Sequence, residues 1–334
     1  YPLRRQRQMC IRDSMKIGIL IVAITVITSC TSATKKITKK DQELQIKAAG
    51  LFKPLPASII DTKANADKII LGKKLYFEKK LSINNTISCN SCHNLDTYGV
   101  DNEATSPGHD GTRGDRNSPT SLNAALHFKQ FWDGRAADVE EQALGPLTNP
   151  IEHGLPSEKA ALMKINTKEY LAMFKKADLD FTFKNIGVAI GSYERTLLTP
   201  SPFDEYLKGD VHALTNEQRK GLDKFITVGC ISCHAGVAIG GSSFQKMGVV
   251  KKYKTKDLGL YQVTKKRRDK FKFKVPGLRN IKKTAPYFHD GSVKSLEEAI
   301  NIMAAYQLGV KLTKEENKSI QAFLSSMTGE PVKY

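Results

Sequence analysis

The chain has 334 residues, of which 40% are hydrophobic and 26% are charged. It contains 52 lysine and arginine residues against 34 aspartate and glutamate residues, which gives a formal net charge of +18. This length suggests two domains, and the positive charge favours acidic partners. Nucleic acid is excluded as a partner because the N-terminal segment indicates export.

The N-terminus carries an export pattern. A lysine follows Met15, and the short apolar run after it ends at Ser29 and Cys30. The run is too short to span a bilayer, and its end resembles a bacterial lipoprotein cleavage site. We predict a lipoprotein signal peptide over residues 15–29 and lipidation of Cys30, with an ordinary secretory signal as the alternative.

The flanking segments complete this prediction. Residues 1–14 match no targeting pattern and are interpreted as a non-native extension. Residues 30–45 are rich in threonine and lysine without apolar periodicity, which predicts a tether between lipid and domain. We therefore expect a periplasmic protein that a lipid anchors to a membrane.

The pattern Cys-x-x-Cys-His occurs twice, at Cys89, Cys92 and His93 and at Cys230, Cys233 and His234. Random placement of these residue types would give about 0.002 such motifs. The two thiols can add to the vinyl groups of a haem while the histidine binds its iron. A redox dithiol would not need the histidine, and zinc would need a fourth ligand that this spacing does not offer. The sequence predicts two covalently bound c-type haems.

An internal repeat relates the two halves of the chain. The segment FWDGRAADVEEQA, which begins at Phe131, aligns with FHDGSVKSLEEAI, which begins at Phe288, at an offset of 157 residues. Each haem motif follows a helical pattern, ADKIILGKKLYF in the first half and LTNEQRKGLDKFI in the second. Thr215 and Gln218 fit a capping box at the start of the second helix.

Apolar residues recur mostly at helical spacing, which predicts a mainly α-helical fold. We expect one haem domain over residues 46–205 and a second over residues 206–334. The boundary falls in TPSPFDEYLKGD, where two prolines and a glycine interrupt the helical periodicity.

Residues 246–274 carry twelve basic side chains against two acidic ones. Such a segment is either a solvated loop or a docking surface that steers an acidic redox partner.

The segments CNSCHN, RNSPTSLN, FWDGRAADVEEQALGP, CISCHA, LRNIKKTAPYFHDGS and SLEEAINIM together resemble the bacterial di-haem cytochrome c peroxidases. The similarity extends from Ala57 to Phe323. It implies two cytochrome c-like haem domains in a periplasmic enzyme that reduces hydrogen peroxide to water. Electrons from a small cytochrome c or a cupredoxin would enter at the C-terminal haem, and peroxide would react at the N-terminal haem.

The motif itself makes His93 and His234 the proximal iron ligands. For the second axial position of the N-terminal haem, the residues alone leave four alternatives open, namely His109, His127, His153 and Met163. The resemblance selects His109, in a glycine-rich segment that could carry a removable ligand.

Two methionines compete for the second axial position of the C-terminal haem. Met303 lies on a predicted amphipathic helix, and Met247 lies in the lysine-rich segment. The resemblance selects Met303 and leaves Met247 as the alternative. A thioether ligand raises the reduction potential, so this haem would be reduced first.

The resemblance assigns roles to three further side chains. Glu152 is the expected acid–base catalyst, and Gln142 is its expected polar partner. Trp132, the only tryptophan, is the expected electron relay between the haems. The repeat pairs it with His289.

The resemblance also implies a calcium ion between the domains. The Asn117 side chain and the backbone carbonyl groups of Thr284 and Pro286 would bind it together with water. The oligomeric state stays open, with a homodimer as one alternative.

Two other functions compete with the peroxidase. Related di-haem enzymes that oxidise the side chains of a partner protein tend to have tyrosine in place of the axial methionine, so Met303 favours the peroxidase. A di-haem electron carrier would have no use for Glu152 or for an iron ligand on a loop.

Overall fold

A computed structural model describes residues 36–330 of the chain. Residues 1–14, the predicted signal peptide and Cys30 lie outside the described residues. Within the described range the structure is mainly helical, so the predicted fold class is confirmed. No helix in this range is long and apolar enough to cross a membrane.

Residues 36–330 form twelve α-helices: α1 Lys39–Leu51, α2 Ala66–Tyr76, α3 Cys89–Cys92, α4 Val139–Thr148, α5 Glu158–Ile165, α6 Lys168–Lys176, α7 Phe183–Glu194, α8 Pro202–Leu207, α9 Asn216–Val228, α10 Tyr261–Thr264, α11 Leu296–Gln307 and α12 Lys314–Ser325. Short 3-10 helices and turns connect them. Strand β1, Phe244–Lys246, pairs antiparallel with β2, Lys272–Lys274, in the register Phe244 to Lys274.

The predicted tether is wrong over residues 39–45, which form the start of α1. Thr38 and Asp41 make a capping box that begins this helix. Leu44 and Ala48 lie one turn apart and are buried against the C-terminal half of the chain. The polar composition did not predict this helix, because it is held by contacts with distant residues, including an ion pair of Asp41 with Arg219 at 2.8 Å.

The predicted domain boundary, between residues 205 and 206, falls inside α8. Pro202 begins this helix instead of interrupting it, because proline is well tolerated in the first turn. Ser201 and Asp204 form its capping box, and Gly209, at φ 116°, follows its end.

The buried apolar residues form two main clusters. One, within residues 71–197, is built around α2, α4 and α7. The other contains residues from α1, α8, α9 and α12. Each cluster adjoins one of the two Cys-x-x-Cys-His motifs, since Cys89 packs against the first and Cys230 against the second.

Each of the two clusters contains an equivalent close crossing of two helices. A Cβ at Gly72 of α2 would lie 1.8 Å from the carbonyl oxygen of Ala189 on α7. A Cβ at Gly221 of α9 would lie 1.8 Å from that of Ser319 on α12. Only glycine lets the backbones approach so closely, so each helix that precedes a motif packs directly on the last long helix of its half.

The backbone repeats with the offset of 157 residues that the sequence predicts. Left-handed residues recur at Asn123 and Asn280, Phe131 and Phe288, and Gly134 and Gly291. The isolated bridge between Gln130 and Ala136 likewise recurs between Tyr287 and Val293. The predicted repeat therefore extends to the backbone conformation.

The two copies contact each other through matched hydrogen bonds. The N–H of Asn117 donates to the carbonyl of His289 at 2.8 Å, and the N–H of Lys274 donates to that of Trp132 at 2.8 Å. The two donors, Asn117 and Lys274, are 157 residues apart, and so are the two acceptors, Trp132 and His289. The two contacts are therefore related by a pseudo-two-fold axis. Thr199 Oγ1 accepts from the side-chain amides of both Asn123 and Asn280 at 2.8 Å.

Candidate functional site

The C-terminal motif opens onto an apolar cavity. Thr215 and Gln218 cap α9 as predicted, and Gly229, at φ 102°, ends this helix directly before Cys230. Cys230, Cys233 and His234 line the cavity. Among its other lining residues are Phe225, Leu278, Leu296, Ile300, Leu308 and Leu324. No aspartate or glutamate is found among the described lining residues.

Both candidate methionine ligands line this cavity together with His234. Met303 lies on α11, as predicted. Met247 follows β1, and its N–H donates to the carbonyl of Phe271. The choice between the two therefore stays a prediction.

The N-terminal motif forms the short helix α3. Ser88 and Ser91 make its capping box, and the hydroxyl group of Tyr76 donates to the carbonyl oxygen of His93 at 2.6 Å. The ring of Tyr76 is fully buried in the first apolar cluster. The motif is thus fixed to α2 through its histidine.

Burial favours the protonated form of three of the four motif thiols. Burial raises the pKa of Cys89 to about 12 and the pKa values of Cys92 and Cys230 to about 11. A redox dithiol reacts as a thiolate, which these environments disfavour. Residues 36–330 also contain no group of three or more acidic, cysteine or histidine side chains placed to bind a metal ion.

The two motif histidines fit an iron ligand. Burial lowers the pKa of His93, and it lowers that of His234 to about 4, so both imidazoles are neutral and keep a lone pair. Their Nδ1 atoms are buried without a hydrogen-bond partner among the described residues. Backbone groups of Pro119 and Pro276 lie close to the rings of His93 and His234, respectively, and both sites suit a haem.

His109 and Glu152 lie side by side at the N-terminal site. The N–H of His109 donates to the carbonyl oxygen of Glu152 at 2.9 Å. A Cβ at Gly154 would lie 2.4 Å from the His109 ring. A Cβ at Gly108 would lie 1.7 Å from the carbonyl oxygen of Ile151. The two glycines thus allow the two loops to pack directly together.

The structure separates the other candidate ligands of the N-terminal iron. His153 is buried near His93 and His109, and its Nδ1 lies 2.7 Å from the carbonyl oxygen of Leu81. His127 lines the C-terminal cavity instead. Met163 is 68% exposed on α5. Of these three, only His153 lies near the N-terminal motif.

Glu152 is partly buried, and its carboxyl group lies within electrostatic range of Cys89 and Cys92. Burial raises its pKa, while the positive charge of Arg135 and a hydrogen bond from Asn149 Nδ2, at 2.7 Å, oppose that rise. Burial thus makes this carboxyl group easier to protonate than an exposed one, and two neighbouring side chains limit that effect.

Sequence reasoning missed Arg135 and Asn149. Arg135 packs over the ring of Phe131 at 3.4 Å and donates to Asp133 at 3.1 Å. Arg135 could have been noticed in the sequence, because the repeat aligns it with Ser292. The first copy therefore has a positive charge at a position where the second copy has none. Asn149 is three residues before Glu152 and has no such signal.

Gln142 lies half-buried on α4. No hydrogen bond joins its side chain to Glu152 in the described part of the chain. Its expected role in the same pocket stays a prediction.

Trp132 lines the C-terminal cavity, although it belongs to the N-terminal half. Its Nε1 donates to the carbonyl oxygen of Asn117 at 2.9 Å, and its ring lies edge-on to His289 with centroids 6.4 Å apart. Arg116 binds the adjacent Asp133 at 2.6 Å and Asp257 at 2.7 Å. The tryptophan is thus held between residues of both halves.

The three expected calcium ligands line the same cavity as Trp132. They are Asn117, Thr284 and Pro286. The Nδ2 of Asn117 donates to the carbonyl oxygen of Glu103 at 3.0 Å, which leaves its Oδ1 available to a cation. Oxygen donors of this kind suit calcium.

Known proteins resemble this chain closely. A family model described as di-haem cytochrome c peroxidase matches residues 66–212. The cytochrome c551 peroxidase of Nitrosomonas europaea is 46% identical over 274 residues, which cover 80% of this chain and 82% of that protein. The cytochrome c551 peroxidase of Pseudomonas aeruginosa is 42% identical over 301 residues, which cover 86% and 87%.

The fold comparison agrees. The crystal structure of a MauG-like protein associated with microbial copper homeostasis superposes with a TM-score of 0.72 at 28% identity, covering 83% of this chain and 94% of that protein. This chain belongs to the family of the di-haem cytochrome c peroxidases, which are oxidoreductases, as its two haem motifs and its internal repeat predict.

Proposed function

We propose that this chain reduces hydrogen peroxide to water at its N-terminal motif, with electrons that enter at its C-terminal motif. The observation that carries this assignment is the asymmetry of acidic groups. Glu152 lies near the N-terminal cysteines, whereas the described lining of the C-terminal cavity contains no carboxylate. Among the described residues, a carboxylate that could transfer a proton therefore lies near the N-terminal motif and not in the lining of the C-terminal cavity.

Two c-type haems attached through the two motifs would supply the iron that binds peroxide and the iron that stores an electron. In its ionised form Glu152 would accept a proton from peroxide and return it to the departing oxygen, which leaves as the first water when the O–O bond breaks. Two electrons from the donor and two protons would convert the remaining oxygen into the second water. Arg135 and Asn149 favour the ionised form of this carboxyl group, which acts as the base. Gln142 is proposed as a further polar group of this site.

His109 is proposed as the axial group that leaves the N-terminal iron before peroxide binds. Its carbonyl oxygen accepts a hydrogen bond from Asn84 Nδ2, and its ring packs on Gly154. Because its N–H binds the backbone of Glu152, movement of His109 would also adjust the proton-transfer group.

Electron transfer between the sites is assigned to Trp132, and the second axial position of the C-terminal iron to Met303. The contacts of Trp132 with Asn117 and His289 fix it where the two halves meet. Calcium bound by Asn117, Thr284 and Pro286 would hold the same junction together.

The electron donor is proposed to be a small acidic cytochrome c or cupredoxin. The docking patch for this donor lies on the present chain and has an apolar part, Val249 and Val250, which are 64% and 62% exposed. Its charged part consists of the exposed cations of residues 246–268. A charged rim with an apolar centre favours rapid and transient association.

This docking patch adjoins the helix that carries Met303. Gln307, near the end of α11, accepts hydrogen bonds from the N–H groups of Gly248 and Val249 at 2.9 Å. The N–H of Val250 donates to the carbonyl of Tyr306. An electron that arrives here would be close to the C-terminal cavity.

The proposed location is the periplasm, with Cys30 as a lipid anchor. Export supports the function, because c-type haems are attached on the outer side of the cytoplasmic membrane. The oligomeric state, for which a homodimer is one alternative, is to be measured in solution.

The deciding experiment measures steady-state peroxide reduction by the purified haem-loaded protein with a reduced small cytochrome, before and after partial reduction of the enzyme. We expect turnover that decreases with ionic strength, because the docking patch is cationic. Absence of turnover in both states, together with oxidation of a partner protein's side chains, would favour the protein-oxidising alternative.

A further inference from the structure

The C-terminal cavity contains a buried lysine that the proposed reaction does not use. Lys274, the last residue of β2, is 5% exposed and lines the cavity. Its Nζ lies 3.0 Å from His127 Nδ1. Within residues 36–330 it forms no ion pair, and it is the one lysine or arginine among the lining residues of the cavity.

A buried ammonium group is costly without a negative partner. Burial lowers the pKa of Lys274 to about 8. Burial and the lysine charge also lower the pKa of His127. The imidazole is therefore a neutral acceptor that orients the lysine and does not balance its charge.

The geometry around the pair is rigid. A Cβ at Gly241 would lie 2.3 Å from the His127 ring, and a Cβ at Gly277 would lie 2.7 Å from it, so the ring packs against both glycines. The N–H of Lys274 is fixed to the carbonyl of Trp132. The ammonium group is thus held in one place, as expected of a binding group rather than of a lysine that extends to solvent.

A haem is the one anionic group that the proposed function brings into this cavity, since its two carboxylates are ionised at neutral pH. We propose that Lys274, oriented by His127, binds a carboxylate of the C-terminal haem. This inference rests on the proposed attachment of a haem to Cys230 and Cys233.

The charge of Lys274 also affects how the C-terminal haem stores an electron. Reduction adds one negative charge to the haem, and a cation in an apolar cavity stabilises that charge. Lys274 therefore raises the reduction potential of the C-terminal haem and acts together with its axial ligand. Its backbone N–H donates to the carbonyl oxygen of Trp132, the proposed relay.

The test compares Lys274→Gln and Lys274→Arg with Lys246→Gln, which removes an exposed charge from the neighbouring strand. Mass spectrometry of each purified protein first establishes that two haems are attached. A redox titration and the carboxylate vibrations in the resonance Raman spectrum are then measured.

In Lys274→Gln, we expect the one-electron equilibrium of the C-terminal haem to shift at least tenfold toward the oxidised form. This shift corresponds to a decrease of about 59 mV in the reduction potential. A haem carboxylate vibration should shift as well. Lys274→Arg should keep most of the potential, and Lys246→Gln should change neither quantity.

If Lys274→Gln does not accumulate with two haems, His127→Ala provides the second test, because it leaves the cation and removes its orienting group. The carboxylate vibration should shift in this variant too. An unchanged vibration and potential in a variant with two haems would overturn the role of Lys274. Absence of haem from the unsubstituted protein would instead refute the proposed function.

Discussion

The backbone N–H of His109 donates to the carbonyl oxygen of Glu152 at 2.9 Å. The proposed removable ligand and the proposed proton-transfer group are therefore linked directly through their backbones. Their two loops can lie this close because Gly108 has no side chain to collide with Ile151.

We expect Gly108→Ala to disturb both groups at once. Its Cβ would lie 1.7 Å from the carbonyl oxygen of Ile151, so the loops must separate. A displacement of about 1 Å can cost on the order of 10²-fold in rate, and peroxide turnover should fall by roughly that factor. The matched control is Gly114→Ala in the same segment, where a Cβ meets no atom within 4 Å. Equal turnover in the two variants would contradict the coupling.

Glu152→Gln removes the proton-transfer group and keeps its shape. Turnover of peroxide should fall by roughly 10²-fold or more, while the absorption spectra of both haems stay nearly unchanged. Glu169→Gln, on the exposed surface of α6, serves as the comparison and should retain full turnover. Nearly normal activity in Glu152→Gln would reduce this residue to an ordinary loop carboxylate.

Arg135→Gln should change the pH dependence of turnover. The charge of Arg135 lowers the pKa of Glu152 against the effect of burial, so its loss raises that pKa further. Glu152 is active when ionised, and the acidic limb of the pH profile should therefore move to higher pH. Arg113→Gln is a control because Arg113 pairs with Glu103 at the exposed surface. An acidic limb that does not move would separate Arg135 from Glu152.

Met303→His should lower the reduction potential of the C-terminal haem, because imidazole donates more electron density than a thioether. Met247→Leu distinguishes the two methionines that line the cavity. If a redox titration shows that Met247→Leu and not Met303→His shifts the high-potential step, the ligand is Met247.

Gly221→Ala should destabilise the fold by about 1–3 kcal/mol, because its Cβ would overlap the backbone of α12. Gly50→Ala provides the contrast, since a Cβ there meets nothing within 4 Å. Alanine should stabilise α1 at that position by up to about 1 kcal/mol. Urea unfolding of the haem-loaded variants measures both changes, and equal midpoints would contradict the close crossing.

The sequence could predict what depends on local patterns. The two haem motifs, the Thr215 cap and the repeat from Phe131 to Phe288 all follow from short spacings. Residues 39–45 could not be predicted, because the stability of α1 comes from Leu44 and Ala48 packing against distant parts of the chain. Propensity is overridden here by tertiary contacts.

The candidate site shows the same limit. Lys274 reads as one of twelve cations in a basic segment, and only the fold reveals that it is buried beside His127. Likewise, the sequence presents Gly108 as a source of loop freedom, whereas the structure uses it for close packing. Both distinctions depend on neighbours far away along the chain.

The hydroxyl group of Thr199 has a consequence for dissecting the molecule. It accepts the side-chain amides of Asn123 and Asn280, so one atom satisfies equivalent residues of both repeats. A fragment that begins at residue 206 would leave the buried Asn280 amide without this acceptor, and it would also lack the α1 residues of its own apolar cluster. The C-terminal repeat is therefore not a separable module, and an engineered single-haem version should carry residues 38–55 and 199–205 with it.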